Sequence, residues 1–443
     1  MCEKRSFPFI FAAEIGKGNS MIPFITVRGG RRLSGEITVC GMKNAALPIL
    51  FASILVRDSV TIENLPPVTD IQTTLRILAA MGARVDMLSP TTARVNAADL
   101  DPDAVPPDLT TRLRGSSYLL GACLGRFGRA FTGLPGGCDF GVRPLDQHFR
   151  IFTALGAECE PDANLLRVRA PRGLRGAAVR LSFPSVGATL NGILAAATAE
   201  GTTVIENAAR EPHVADLAAF LNACGADISG AGTSEIRIHG AKILRGCRHA
   251  VIPDMIEAGT YMAAVAGTGG RLRLRSVDPA HLAAVSEKLT AMGAQISASG
   301  DRLTLCRTSP LLGADIEALP YPLFPTDMQP QFAPLLCLSS GGGRICEHVW
   351  ESRFRYVPEL CRMGAEIRVD GRCAFIRGGA KLTGADVAAT DLRAGAAMVI
   401  AGLCAGGSTR ITGVEHIDRG YPDLEAKLQS LGADVRRVGA REP

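Results

Sequence analysis

The 443-residue chain has no apolar run of the roughly 18–20 residues that a membrane helix requires. Aromatic residues make up only 5%, too few for a surface that stacks unpaired bases. No block of like charge is present: 48 Lys and Arg face 43 Asp and Glu, a formal net charge of +5. A general nucleic-acid surface is therefore not expected, although a modest excess of Arg suits a small anionic substrate in a cleft. The thirteen cysteines include no CxxC pair, and none has His neighbours at zinc-finger spacing. Cys123 in LLGACLG, Cys337 in PLLCLSS and Cys404 in IAGLCAG lie in apolar runs and read as buried free thiols in a reducing cytosol. The GxxxxGK[ST] phosphate loop, the strand–GxGxxG–helix fingerprint, HExxH and GxSxG are all missing. The opening MCEKRSFPFIFAA is too short and too broken by Pro for a signal peptide. Residues 1–20 read as a disordered extension ahead of Met21, and the expected location is cytoplasmic.

What is present is a repeat. LAAMGARV, FTALGAEC, LNACGADI, LTAMGAQI, LCRMGAEI and LQSLGADV carry Gly82, Gly156, Gly225, Gly293, Gly364 and Gly432, at spacings of 74, 69, 68, 71 and 68 residues. Before each Gly runs a helix-period stretch, such as DIQTTLRILAAMG, and the Gly stands where a left-handed cap would end the helix. Upstream, segments such as NAALPILFASIL and AGAAMVIAGLCA are apolar nearly all round and must be buried. Each unit reads strand, buried helix, strand, second helix, strand, strand. Helices buried on every side need sheets wrapped around them, and six units divide into two domains of three.

Three polar clusters stand outside the repeat pattern. In VCGMKNAALPIL, Lys43 and Asn44 open the first buried helix, where backbone N–H groups and the helix dipole favour anions. A solvated Lys is the competing reading. In LPGGCDFGVRPLDQH, Cys138 sits at the tip of a Gly-rich loop with Asp139, Arg143, Asp146 and His148 close by. A thiol beside Arg in a loop that can close is a candidate nucleophile or acid. The third set is Asp327, Arg353, Asp391, Arg393, Asp418 and Arg419. These are either isolated surface ion pairs or, if they converge, a site for a multiply charged substrate.

GMKNAALPIL, LPGGCDFGVRP, SVGATLN, NAAREP, IPDMIEAGTYM, FPTDMQPQ, ESRFRYVPEL, ATDLRAGAAMVIAG and HIDRGY, in that order, resemble the UDP-N-acetylglucosamine enolpyruvyl transferases from Met21 to about Val438. The resemblance implies a two-domain inverted α/β barrel of six repeats. Residues 43–252 would form the domain with the Cys loop, 21–42 plus 253–443 the second, and the cleft between them the active site. The implied reaction moves the enolpyruvyl group of phosphoenolpyruvate to the 3′-hydroxyl of UDP-N-acetylglucosamine and releases phosphate. By the same resemblance, Cys138 is a proton donor or aid to product release and the target of the epoxide fosfomycin, and Asp327 is the base at the sugar hydroxyl. Lys43, Arg114, Arg143 and Arg419 would surround phosphoenolpyruvate, while Asp391 and Arg393 would position Lys43 and close the domains. Asn44, Val349 and Arg353 would contact substrate. Arg143, Pro144, Leu145, Asp146 and His148 would form the uridine-binding stretch, and Ser185, Val186 and Gly187 the diphosphate cradle. No metal or organic cofactor, no nucleic acid and no membrane is implied, and a monomer is expected.

The chain departs from the family at Phe183, Leu190, His213 and Met255, all on the nucleotide side. A changed acceptor and a non-turning UDP-sugar sensor are the alternatives. The shikimate-phosphate relatives usually carry Ser after the first Lys and lack the Cys loop, so Lys43-Asn44 and Cys138 argue against that branch.

Overall fold

The computed structural model describes residues 22–133, 136, 145–161 and 165–439. The 1–20 extension and Cys138, Arg143 and Pro144 of the loop lie outside the described residues. Six inner helices, Lys43–Ala52, Tyr118–Phe127, Val186–Ala196, Met255–Thr268, Gln329–Leu338 and Leu392–Cys404, are enclosed by six sheets, five of them mixed and one, Arg129–Gly133 with Leu165–Arg169 and Glu158–Pro161, antiparallel among the described residues. The inner helices are buried on all sides; in Leu392–Cys404 only the terminal Cys404 is not fully covered. Apolar faces in every direction leave such a helix no stable position except a core. The architecture is the inverted α/β barrel that the family resemblance implies, and its six units are those of the repeat.

All six Gly of the repeat have left-handed backbones, with φ between 91° and 97°. Each follows an outer helix and turns the chain into the next strand, a conformation that costs a side-chain-bearing residue energy. Unit three shows the plan completely: strand Ala178–Arg180, inner helix, strand Thr202–Glu206, outer helix Pro212–Ala223, then strands Asp227–Ser229 and Glu235–His239. The leading strand pairs parallel with the strand after the inner helix, and the remaining pairs are antiparallel.

Not every unit supplies its own strands. Leu33–Thr38 pairs parallel with Gly270–Arg275 and leads the fourth sheet, while Phe24–Arg28 lies between Ser408–Thr412 and Asp434–Val438 in the sixth. In exchange, Arg248–Ala250 pairs with Ser59–Glu63 in the first sheet. The chain thus crosses between the halves twice. The crossing segments are stitched together by Met42 N–H to Ile252 O (2.7 Å) and Asp254 N–H to Cys40 O (2.8 Å).

Cys123 and Cys337 are buried free thiols as expected, and Cys404 is free but only partly covered. Burial pushes all three thiols up to about 12. Cys346 and Cys373, which the reading of Cys123, Cys337 and Cys404 did not cover, stand opposite each other on neighbouring antiparallel strands and form a disulfide. Their 27-residue separation gave no sign of it.

Candidate active site

The N-terminal ends of four inner helices deliver residues to one cavity of about 180 Å³. Lys43 opens the first helix, Arg114 the short turn before the second, Asp327 the turn before the fifth, and Arg393 the first turn of the sixth. Asn44, Asp70, Tyr118, Trp350, Arg353 and Arg419 complete the polar lining. Helix N-termini carry partial positive charge, so cations placed there are held at an energetic disadvantage that an anion relieves.

Two carboxylates organise these cations. Asp70, at the start of outer helix Thr69–Ala80, takes Lys43 Nζ on Oδ2 (3.0 Å) and Arg419 Nε on Oδ1 (2.9 Å). Burial alone would raise its carboxyl, but Lys43 and Arg419 overrule burial and hold it below the usual carboxylate range. Asp327 receives Arg353 Nη2 on Oδ1 (2.9 Å) and Arg393 Nε and Nη2 on Oδ2 (3.2 and 2.9 Å). Burial again pushes upward and is outweighed by Arg393 and then Arg353, which hold Asp327 well below the usual range. Arg393 Nη1 is buried with no hydrogen-bond partner among the described residues. A buried guanidinium N–H in that state favours an incoming anion.

Among the described residues, five cations therefore line the cavity against two carboxylates, a net of three positive charges. Lys43, Asn44, Arg114, Asp327, Arg353, Arg393 and Arg419 are brought together. Asp391 is not among them. Its carboxylate caps its own helix, accepting the N–H groups of Arg393 (2.8 Å) and Ala394 (3.0 Å), and it does not touch Lys43. The residue that holds Lys43 is Asp70, which the sequence reading missed because it had served only as the first residue of an amphipathic helix. Asp391 acts one step back, by fixing the turn that presents Arg393. Val349 is likewise outside the lining; its N–H is held by Glu347 Oε1 (2.8 Å), which also receives the N–H of Trp350 (3.1 Å).

A second group lies at the N-terminus of inner helix Val186–Ala196. Ser185 caps it, its hydroxyl accepting the Ala188 N–H at 3.4 Å. His148 is buried beneath, with Nδ1 accepting from Asn191 Nδ2 at 2.8 Å, so the ring proton sits on Nε2. Burial, helped by Arg114, drives this imidazole down to about 3 and keeps it neutral. Gly187 lies directly over the ring: a Cβ there would sit 2.9 Å from His148 Nε2. Asn191 also bonds Ser117 O (3.0 Å) and the Gly121 N–H (2.8 Å), locking the two inner helices together. Asp146 accepts Gln147 Nε2 at 2.6 Å, and Leu145 is half-buried at the helix start. Of the departures, Phe183 is 51% exposed, Leu190 and Met255 are buried, and His213 is buried and held neutral, at about 4, mainly by burial.

The profile of the EPSP synthase (3-phosphoshikimate 1-carboxyvinyltransferase) family matches residues 27–428. A protein named UDP-N-acetylglucosamine 1-carboxyvinyltransferase 3 from Caldanaerobacter subterraneus is 48% identical over 412 residues, 93% of this chain and 98% of its own length. UDP-N-acetylglucosamine 1-carboxyvinyltransferase from Clostridium botulinum is 48% identical over 415 residues, 94% and 99% of the two chains. Among solved structures, the enolpyruvyl transferase NikO from Streptomyces tendae superposes with a TM-score of 0.84 at 29% identity, covering 95% of this chain and 100% of that one. EPSP synthase from Acinetobacter baumannii, at 18% identity and a TM-score of 0.70 over 94% of this chain and 100% of that one, shares the fold.

Proposed function

Because this chain belongs to the EPSP synthase family of carboxyvinyl transferases, we propose that it transfers the enolpyruvyl group of phosphoenolpyruvate to the 3′-hydroxyl of UDP-N-acetylglucosamine and releases phosphate. The observation that carries the reading is the charge balance of the cavity. A phosphate monoester brings a charge of about −1.5 to −2 and the carboxylate one more, which complements a lining of five cations and two carboxylates. The names of the relatives at 48% identity support the acceptor.

In this reading the phosphate and carboxylate of phosphoenolpyruvate lie against Lys43, Arg114, Arg143 and Arg419, with Lys43 and Arg419 preorganised by Asp70. Carbon 3 gains a proton from the loop that carries Cys138, and positive charge develops at carbon 2. The 3′-oxygen bonds to carbon 2 as its proton leaves toward Asp327, giving a tetrahedral ketal. Phosphate departs from carbon 2, carbon 3 loses a proton, and the enol ether forms. Fixed cations stabilise charge that would otherwise require solvent reorganisation. Asp327 clamped by two guanidiniums is a weak base. An incoming anion that draws Arg393 or Arg353 toward itself raises the basicity of Asp327 as the site fills.

The nucleotide lies along Leu145, Asp146, His148 and the Ser185–Gly187 helix start, together with Arg143 and Pro144. The site falls between a domain of residues 43–252 and one of 21–42 plus 253–443, whose closure excludes water. The product feeds peptidoglycan precursor synthesis in the cytoplasm, and the working unit is a monomer. The test is phosphate release from phosphoenolpyruvate with UDP-N-acetylglucosamine, beside Cys138→Ser and a fosfomycin-treated sample. Release that depends on the UDP-sugar and is abolished by fosfomycin supports the reading. A folded protein that binds the UDP-sugar but releases no phosphate rejects it.

A further inference from the structure

Away from the cavity, Cys224 and Cys247 bring their sulfurs to 3.2 Å across the seam between the outer helix of unit three and the chain that returns to the first sheet. Cys224 caps helix Pro212–Ala223 and is 1% exposed, whereas Cys247 is partly open to solvent. The backbone on both sides is already held. The Cys224 carbonyl accepts the Arg245 N–H (2.8 Å), the Cys247 carbonyl accepts the Thr61 N–H (2.9 Å), and Gly246 N–H reaches Asp58 Oδ2 (3.2 Å). Gly246 is pressed so closely to the first sheet that a Cβ would lie 2.3 Å from Ser59 O. Bringing two sulfurs from 3.2 Å to a bond of about 2.05 Å closes a gap of only about 1 Å.

We propose that Cys224 and Cys247 form a modification site: a dithiol that a low-molecular-weight disulfide converts reversibly to an intramolecular disulfide. The Cys247 thiolate attacks one sulfur of the small disulfide and displaces a thiolate, leaving a mixed disulfide on Cys247. The Cys224 sulfur, losing its proton to solvent, then attacks Cys247 Sγ and displaces the second thiolate. Two protein thiols lose two electrons and two protons, and the small disulfide is reduced to two thiols.

The division of labour follows from the environment. The two sulfurs share a hydrogen bond that either can donate, and that contact, with His249 adding to it, draws the partly open Cys247 thiol below its ordinary value against the pull of burial. Cys224 is correspondingly held protonated. An accessible, acidic thiol backed by a buried one is the arrangement that exchanges readily. His249 is itself tied to Asp216 Oδ1 (2.9 Å). Cys123 and Cys337, with no such partner, are inert by comparison. The bond would tether the outer helix to strand Arg248–Ala250, immediately before the Val251–Asp254 crossing. Neither cysteine belongs to the catalytic cavity, so the site stands independently of the proposed reaction.

The experiment exposes the reduced, full-length protein to oxidised glutathione, quenches at intervals with N-ethylmaleimide, and maps peptides by mass spectrometry. The expected result is a Cys224–Cys247 cross-linked peptide, lighter than the two thiol peptides by about 2 Da. It should appear at least tenfold faster than any adduct at Cys123 or Cys337 and be reversed by dithiothreitol. Cys224→Ser should trap glutathione on Cys247, and Cys247→Ser should leave Cys224 unmodified. A lasting glutathione adduct on Cys247 in the parent, or an unreactive Cys247 in the folded protein, would overturn the proposal. The parent result decides the matter even where a variant folds poorly.

Discussion

Replacing Asp70 by Asn tests the organisation of the cation cluster. The substitution keeps shape and hydrogen-bonding atoms but removes the one negative charge between Lys43 Nζ and Arg419 Nε. The side chains are 11% exposed for Lys43, 17% for Arg419 and 7% for Asp70, so solvent screens the two stranded cations poorly. Breaking a buried pair by neutralising one partner costs about 3–5 kcal/mol. With an unfolding entropy of about 2.1 cal/mol/K per residue, a cooperative unit of about 200 residues would melt about 7–12 °C lower. The lost charge can be supplied by ligand: inorganic phosphate or phosphoenolpyruvate should raise the Tm of Asp70→Asn more than that of the parent at equal concentration. Differential scanning calorimetry of both proteins over a phosphate titration measures each quantity. A variant that melts within about 1 °C of the parent, or one to which phosphate gives no extra stabilisation, refutes the idea that Asp70 offsets Lys43 and Arg419 in place of substrate.

Removing the Arg393 charge in Arg393→Gln should move the acid limb of the kcat/KM–pH profile upward by about 1–3 units, since one of the two cations holding Asp327 down is gone. An unmoved limb would sink the assignment of Asp327 as base. Gly187→Ala pushes a Cβ toward the His148 ring. The KM for the UDP-sugar should rise about tenfold, matching a clash of about 1–3 kcal/mol, with kcat and the KM for phosphoenolpyruvate little changed. Stability should fall as pH drops below about 6.5, because His148 and His213 stay neutral when folded, down to about 3 and about 4, while the unfolded chain takes up protons. The loss is roughly 2 kcal/mol per buried His by pH 5, and urea midpoints of His148→Gln should show a flatter profile than the parent. Asp70 and Asp327 have lowered pKa values, so their contribution persists above about pH 4 and fades only in stronger acid.

The six-unit architecture was legible because it is written in local terms. A buried helix must be apolar on all sides, an outer helix must alternate, and a left-handed residue after each outer helix is written as Gly82, Gly156, Gly225, Gly293, Gly364 and Gly432. Lys43, Asn44, Asp327, Arg353, Arg393 and Arg419 were likewise visible, as polar side chains where the repeat alone would not put them. Asp70 was not, because an acid in the first turn of an amphipathic helix is what capping and the helix dipole already favour. Nothing local distinguishes such an acid from one 349 residues from its partner Arg419. The pairing of Asp391 with Lys43 came from the family resemblance, whereas in this structure the Asp391 carboxylate caps its own helix. Sequence by itself determined the repeat, the helix ends and the excess of cations. Tertiary structure alone decided which strands were exchanged, that Cys346 faces Cys373, that Cys224 meets Cys247, and which carboxylate holds which cation. Those are choices of partner between distant segments, and the energies that settle them arise only when water has been excluded and the charges lie within a few ångströms.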